Sequence, residues 1–219
     1  VTVVELGIPT WLISLMISLP LLFAPLRALI GFRSDHHVSA LGWRRVPYIW
    51  MGTVLQFGGL TIMPFALLVL STDSHSHGPI GPIGAALAFL LVGAGLHITQ
   101  TAGLALATDL APEHARPRAV ALLYVLLLLG MVGSSLLFGA LLSDFSQKRL
   151  IQVIQGAALA TGIFTVVALW QQEARNPART RAGRFKPSFR DSWTEYLQGG
   201  RSARLLVAVA LGAAAFSMQ

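Results

Sequence analysis

Of the 219 residues, 54% are hydrophobic and only 11% are charged, where an ordinary soluble domain carries roughly 25% charged residues, so a water-soluble globular domain does not fit this composition. The formal net charge of +7 would suit nucleic acid only on a solvated basic surface; here Lys and Arg punctuate apolar runs of membrane length, and the charge reports orientation instead. Without cysteine there is no disulfide, no thiolate metal site and no thiol nucleophile.

A bilayer core of roughly 30 Å takes about 20 apolar residues in a helix. On that ruler the chain divides into six hydrophobic segments, 11–30, 46–70, 80–108, 119–142, 150–170 and 205–219. Each is read as helical, because backbone in hydrocarbon must satisfy its own hydrogen bonds. No secretory leader is expected, since Glu5 interrupts the first apolar stretch and no basic region precedes it. Pro20, Pro25 and Pro64 fall inside segments and predict kinks rather than breaks. Small residues four apart, Gly103/Ala107, Gly130/Ser134, Ser135/Gly139 and Gly156/Ala160, predict close helix approaches.

The connections set the topology. All Lys and Arg residues except Lys148 and Arg149 fall on one side of the alternating segments, including Arg27, Arg33, Arg44 and Arg45. By the positive-inside rule that side is cytoplasmic. The connection 71–79, with Asp73, His75 and His77 and no Lys or Arg, is then outside. Residues 171–204 read as a basic cytoplasmic linker in which Phe189, Trp193, Tyr196 and Leu197 have the spacing of a short amphipathic helix lying on the membrane surface. Contact of the polybasic part with anionic lipid and a solvated linker are both open readings. The last segment, fifteen residues from 205 to 219, reaches about 22 Å at a rise of roughly 1.5 Å per residue and falls short of a crossing. The first seven residues look like the end of an earlier segment. The expectation is a piece of a larger bundle: a helical bundle over 1–170, a linker over 171–204, and the start of a second bundle over 205–219.

The stretch GFRSDHHVSALGWRR, from Gly31 to Arg45, resembles the loop between the second and third helices of the major facilitator superfamily, a glycine, three residues, an aspartate, then glycine and paired basic residues. Gly31, Asp35, Gly42, Arg44 and Arg45 fill those roles, with a span from Asp35 to Gly42 four residues longer than the usual form. DLAPEHARPRA, with Asp109, Glu113, Arg116 and Arg118, resembles that family's next cytoplasmic loop. The resemblance implies an all-α facilitator-type bundle of which this chain holds about helices two to seven of twelve. The runs LPLLFAPLRALIGFRSD, SALGWRRVPYIWMGTVLQFGG and FLLVGAGLHITQTAGLALATDLAPE are similar to the PucC/LhaA branch, a bacteriochlorophyll-delivery family of phototrophic bacteria. What this implies is an assembly factor for light-harvesting complexes in the bacterial inner, intracytoplasmic membrane. Its expected cofactor is bacteriochlorophyll, and its expected partners are antenna polypeptides or the reaction-centre core complex, together with membrane lipid and not nucleic acid.

No nucleophile elbow, phosphate loop, zinc-protease motif or paired intramembrane carboxylate occurs in the sequence, so no enzyme is expected. His97 is the buried polar group to weigh. Its imidazole can ligate the magnesium of a chlorin, with Gly93, Gly95 and Gly103 leaving room for a flat ring and Gln100 holding a polar edge; the other reading is a hydrogen bond to a neighbouring helix. Gln56, Gln152 and Gln155 read as interhelical hydrogen-bonding groups. His36 and His37 read as solvated, and no metal site is expected. Asp35, paired with Arg44 or Arg45, would latch one face of the bundle. A secondary transporter of a small solute and an accessory subunit of a photosynthetic complex remain as alternatives on the same scaffold.

Overall fold

The structure is a computed structural model that describes residues 8–23, 25–37, 42–72, 80–173 and 188–217. Asp73, His75, His77 and Glu5 lie outside the described residues, as do the basic residues between 174 and 187. The described residues form helices and no strands: α1 (Thr10–Ser18), α2 (Leu26–Asp35), α3 (Val46–Thr72), α4 (Ile80–Leu110), α5 (Arg116–Leu141), α6 (Gln147–Leu169), α7 (Phe189–Gln198) and α8 (Arg201–Ser217). Among the described residues five stretches are long and apolar enough to cross a membrane, Thr10–Asp35, Val46–Ser71, Ile80–Leu110, Glu113–Leu141 and Gln147–Leu169. The chain is a multi-pass helical membrane protein.

The prolines act unequally. Pro64 is enclosed within an unbroken α3. The Pro20 to Pro25 region departs from regular α-helix within the one span Thr10–Asp35: α1 ends at Ser18, a 3-10 segment runs Leu19–Phe23, and α2 begins at Leu26, with Leu19 and Pro25 in helical backbone conformation. Each ring removes one backbone donor and crowds the turn before it, which distorts the helix locally.

The chain divides into two compact units, Val1–Arg181 and Ala182–Gln219. In the first, α3 and α4 make the most extensive contact, α2 packs on α4, and α6 packs on α3. Lipid is as apolar as leucine, so close packing holds such helices together, and small residues are what permit it. The contact is antiparallel. A Cβ on Gly95 would lie 2.7 Å from Gln56 N, and one on Gly59 would lie 2.8 Å from the Ala88 carbonyl. Gly52, Gly59 and Ala66 recur every seven residues on α3, as Gly81, Ala88, Gly95 and Ala102 do on α4.

The pairs expected from four-residue spacing are not the contact points. Gly103, Gly130, Gly139 and Gly156 each face open space. No residue of α5 is buried, and a cleft of about 570 Å³ bordered by Ser134, Gly156 and Ala160 separates it from α6. A four-residue spacing marks a smooth face on one helix; only a matching face at the same depth makes it an interface.

Thr53 Oγ1 reaches Thr165 Oγ1 (3.3 Å) between α3 and α6, and Ile49, Ala102 and Leu106 form a small core beside Tyr48 and Leu169. In the second unit α7 is the short amphipathic helix read from the sequence. Ser188 caps it by accepting from Arg190 N (3.3 Å), and Trp193 stacks between Phe189 and Tyr196, each pair of centroids 6.1 Å apart.

Candidate functional site

The charged end of the bundle is built by the connection between α2 and α3. Gly42 has φ 77°, left-handed backbone that glycine adopts without the clash other residues suffer. The turn delivers Arg44 and Arg45 to the start of α3. Arg45, whose side chain is 6% exposed, spends its three nitrogens on three partners: Nη1 donates to Ser34 Oγ (2.6 Å), Nη2 pairs with Asp35, and Nε donates to Asp109 Oδ2 (3.2 Å). Ser34 passes its own proton to the Gly31 carbonyl (2.8 Å). Arg44 Nη2 pairs with the same Asp109 oxygen at 2.6 Å. Asp35 and Asp109 sit at the C-terminal ends of α2 and α4, where the helix dipole disfavours negative charge, and the two guanidiniums offset it.

Glu173 completes the cluster. Its Oε1 accepts from Arg44 N (2.8 Å), and its Oε2 accepts from Arg45 N (3.1 Å) and Val46 N (2.9 Å). A carboxylate on the first amides of α3 satisfies donors the helix cannot pair itself and meets the positive end of the dipole. Gln171, with φ 56°, turns the chain back after α6 so that Glu173 reaches them.

Of the residues read from the sequence, Gly31, Asp35, Gly42, Arg44, Arg45 and Asp109 thus converge, and Arg45 is the direct partner of Asp35. Glu113 and Arg116 form a separate surface pair (3.7 Å), and Arg118 is exposed on α5. Ser34 and Glu173 were not anticipated. Glu173 fell in a stretch read as linker, and its signal was a carboxylate directly after a membrane segment, on the arginine-rich side. His36 bonds through Nδ1 to the Phe32 carbonyl (2.9 Å) and lies tilted by 37° against the Phe32 ring, while His37 meets Tyr48 edge-on.

His97 lies in α4 with Nε2 3.2 Å from the Pro20 carbonyl. A carbonyl only accepts, so Nε2 carries the proton. Nδ1 is enclosed without a partner among the described residues. Gly93 is filled by the Pro20 ring, and Gly95 by the backbone of α3. As folded, His97 offers neither nitrogen to a magnesium ion, and the room expected beside it is occupied. The interhelical hydrogen bond is the arrangement present. Gln100 and Gly103 differ: with Arg27 and with Leu123, Tyr124 and Leu127 of α5 they line a cleft of about 280 Å³, where a Cβ on Gly103 would meet nothing. The cleft sets one amide beside open apolar space, with room for the edge of a flat ring and not for a whole macrocycle.

Fold and charge cluster define a multi-pass helical membrane protein whose helix ends are tied by one arginine–carboxylate network. The family model described as PUCC protein matches residues 1–219, and the chain belongs to that family. It is 56% identical to Protein PucC of Rhodovulum sulfidophilum, 54% to that of Rhodobacter capsulatus and 49% to that of Cereibacter sphaeroides, each across 100% of this chain. It covers 49%, 48% and 48% of those proteins, so the chain spans about half the length of the curated relatives it matches. No solved structure matches it significantly.

Proposed function

We propose that this chain is part of a non-enzymatic membrane factor that assists assembly of photosynthetic light-harvesting complexes by binding or delivering bacteriochlorophyll to antenna polypeptides. The observation that carries the reading is the match to PucC proteins, 56% identical to one of them over the whole chain. The charge bias supports a bacterial inner-membrane setting with the Arg44–Arg45 end cytoplasmic. When bound, the pigment would supply light absorption; in this chain Gln100 would hold a polar edge of the ring, with Gly103 beside it. The Asp35–Arg45–Asp109 network ties the ends of α2 and α4, the two helices that line that cleft together with α5. The facilitator-type architecture, with a second bundle beyond residue 204, belongs to the same proposal.

The experiment replaces Gln100 by leucine and Asp35 by asparagine in the full-length protein and measures antenna accumulation in phototrophic cells. Both substitutions should lower antenna levels, Gln100→Leu with normal amounts of the factor itself. Wild-type antenna in both strains would remove the reading. Solute uptake into vesicles would instead favour a transporter, and stoichiometric recovery with the mature complex an accessory subunit.

A further inference from the structure

The sequence placed Arg27 with the charged helix ends; the structure places it inside the membrane span. It lies at residue 27 of a helix ending at Asp35, and its partner Thr101 lies equally far before Asp109 on α4. At a rise of about 1.5 Å per residue both helices put Arg27 and Thr101 about 12 Å along from the ion-pair cluster, within the apolar stretches Thr10–Asp35 and Ile80–Leu110 that are long enough to cross a membrane. Nε donates to Thr101 Oγ1 (3.3 Å), and that hydroxyl gives its own proton to the His97 carbonyl (2.7 Å). Neither Nη has a hydrogen-bond or ion-pair partner among the described residues. The neighbouring titratable group, His97, cannot supply negative charge. A cation inside a span is stabilised by a partner, and among the described residues the cleft that Arg27 lines has no carboxylate.

We propose that this cleft binds the anionic head, phosphate or carboxylate, of a single membrane amphiphile. The guanidinium fork matches the paired oxygens of either group. Gln100 of α4 and Tyr124 of α5 add an amide and a hydroxyl donor to the lining of the same cleft, and Leu123 and Leu127 would receive the start of the chain. The volume of about 280 Å³ equals roughly nine waters at about 30 Å³ each, the size of a head group and its first carbons. This inference does not rest on pigment handling: the cleft takes one head or one ring edge at a time, and a host without bacteriochlorophyll reads lipid retention without that competitor.

The test uses the full-length protein, purified from a host that makes no bacteriochlorophyll and examined by native mass spectrometry with added phosphatidylglycerol, palmitate or phosphatidylcholine. One equivalent of phosphatidylglycerol or palmitate should be retained at about tenfold lower concentration than phosphatidylcholine, and the two arms separate phosphate from carboxylate. Arg27→Gln should abolish that preference and Arg27→Lys keep part of it. Leu127→Trp, which fills the groove and spares the guanidinium, should weaken retention by about tenfold. If Arg27→Gln does not fold, the wild-type preference and the Leu127→Trp variant still decide. Equal retention of charged and zwitterionic lipid by the wild type, unchanged preference in a folded Arg27→Gln protein, or a protein carboxylate within about 4 Å of Arg27 in the full-length structure would each overturn the proposal.

Discussion

Replacing Glu173 by alanine removes the acceptor for three backbone amides at the start of α3, those of Arg44, Arg45 and Val46, at 2.8, 3.1 and 2.9 Å. A lost N-cap costs about 0.5–2 kcal/mol, and loss of a negative charge at the helix N-terminus adds about 0.3–1 kcal/mol. Glu173 is partly exposed, so water re-solvates some of the freed amides and the total settles near 2 kcal/mol, not at the sum for three buried charge-assisted bonds. The assay is thermal unfolding of the full-length protein in detergent, with Glu195→Ala as control, since Glu195 is exposed on α7. Glu173→Ala should lower the midpoint by several degrees, and Glu173→Gln, which keeps one acceptor and loses the charge, should fall between. If Glu173→Ala melts with the Glu195→Ala control, the carboxylate does not cap α3 and the network as described is wrong.

Gly95→Ala should destabilise by about 1–3 kcal/mol, because the added methyl meets the α3 backbone at the Gly52 carbonyl and Gln56 N as well as Gln56 Cγ, and the backbone atoms cannot swing away; Gly103→Ala, which meets nothing, should be neutral in the same melt. Gly42→Ala and Gln171→Gly should move in opposite directions, each by about 1 kcal/mol. The first imposes a Cβ on left-handed backbone at φ 77°, and the second removes one at φ 56°; equal signs in denaturant titrations would contradict the turn geometry. His97→Phe should leave pigment content unchanged while costing the Pro20 hydrogen bond, about 1 kcal/mol. Loss of pigment in a well-folded His97→Phe protein would reinstate the histidine as a ligand.

The five spans were legible because hydrocarbon thickness fixes their length, and α7 because its aromatic residues repeat at helical spacing. The ion-pair loop was legible in Gly31, Asp35, Gly42, Arg44 and Arg45, whose types and order carry the geometry. Contacts between segments were harder to see. Arg27 was counted with the charged ends because the sequence does not say where α2 stops; measured back from Asp35 it stands level with Thr101, measured back from Asp109. The same ruler brings Pro20 near the depth of His97. The small-residue interface was present as a seven-residue repeat on two adjacent segments, Gly52, Gly59, Ala66 and Gly81, Ala88, Gly95, Ala102. A search at four-residue spacing favoured helices that do not touch there. Glu173 was hidden because a carboxylate in a basic stretch resembles solvated linker until the left-handed turn at Gln171 brings it back.

An absorption spectrum of the full-length protein, purified from phototrophic cells and free of antenna polypeptides, bears most directly on the pigment reading. The account predicts bacteriochlorophyll bands that co-elute with the protein, persist in His97→Phe and weaken in Gln100→Leu. A colourless protein that still restores antenna assembly would contradict it.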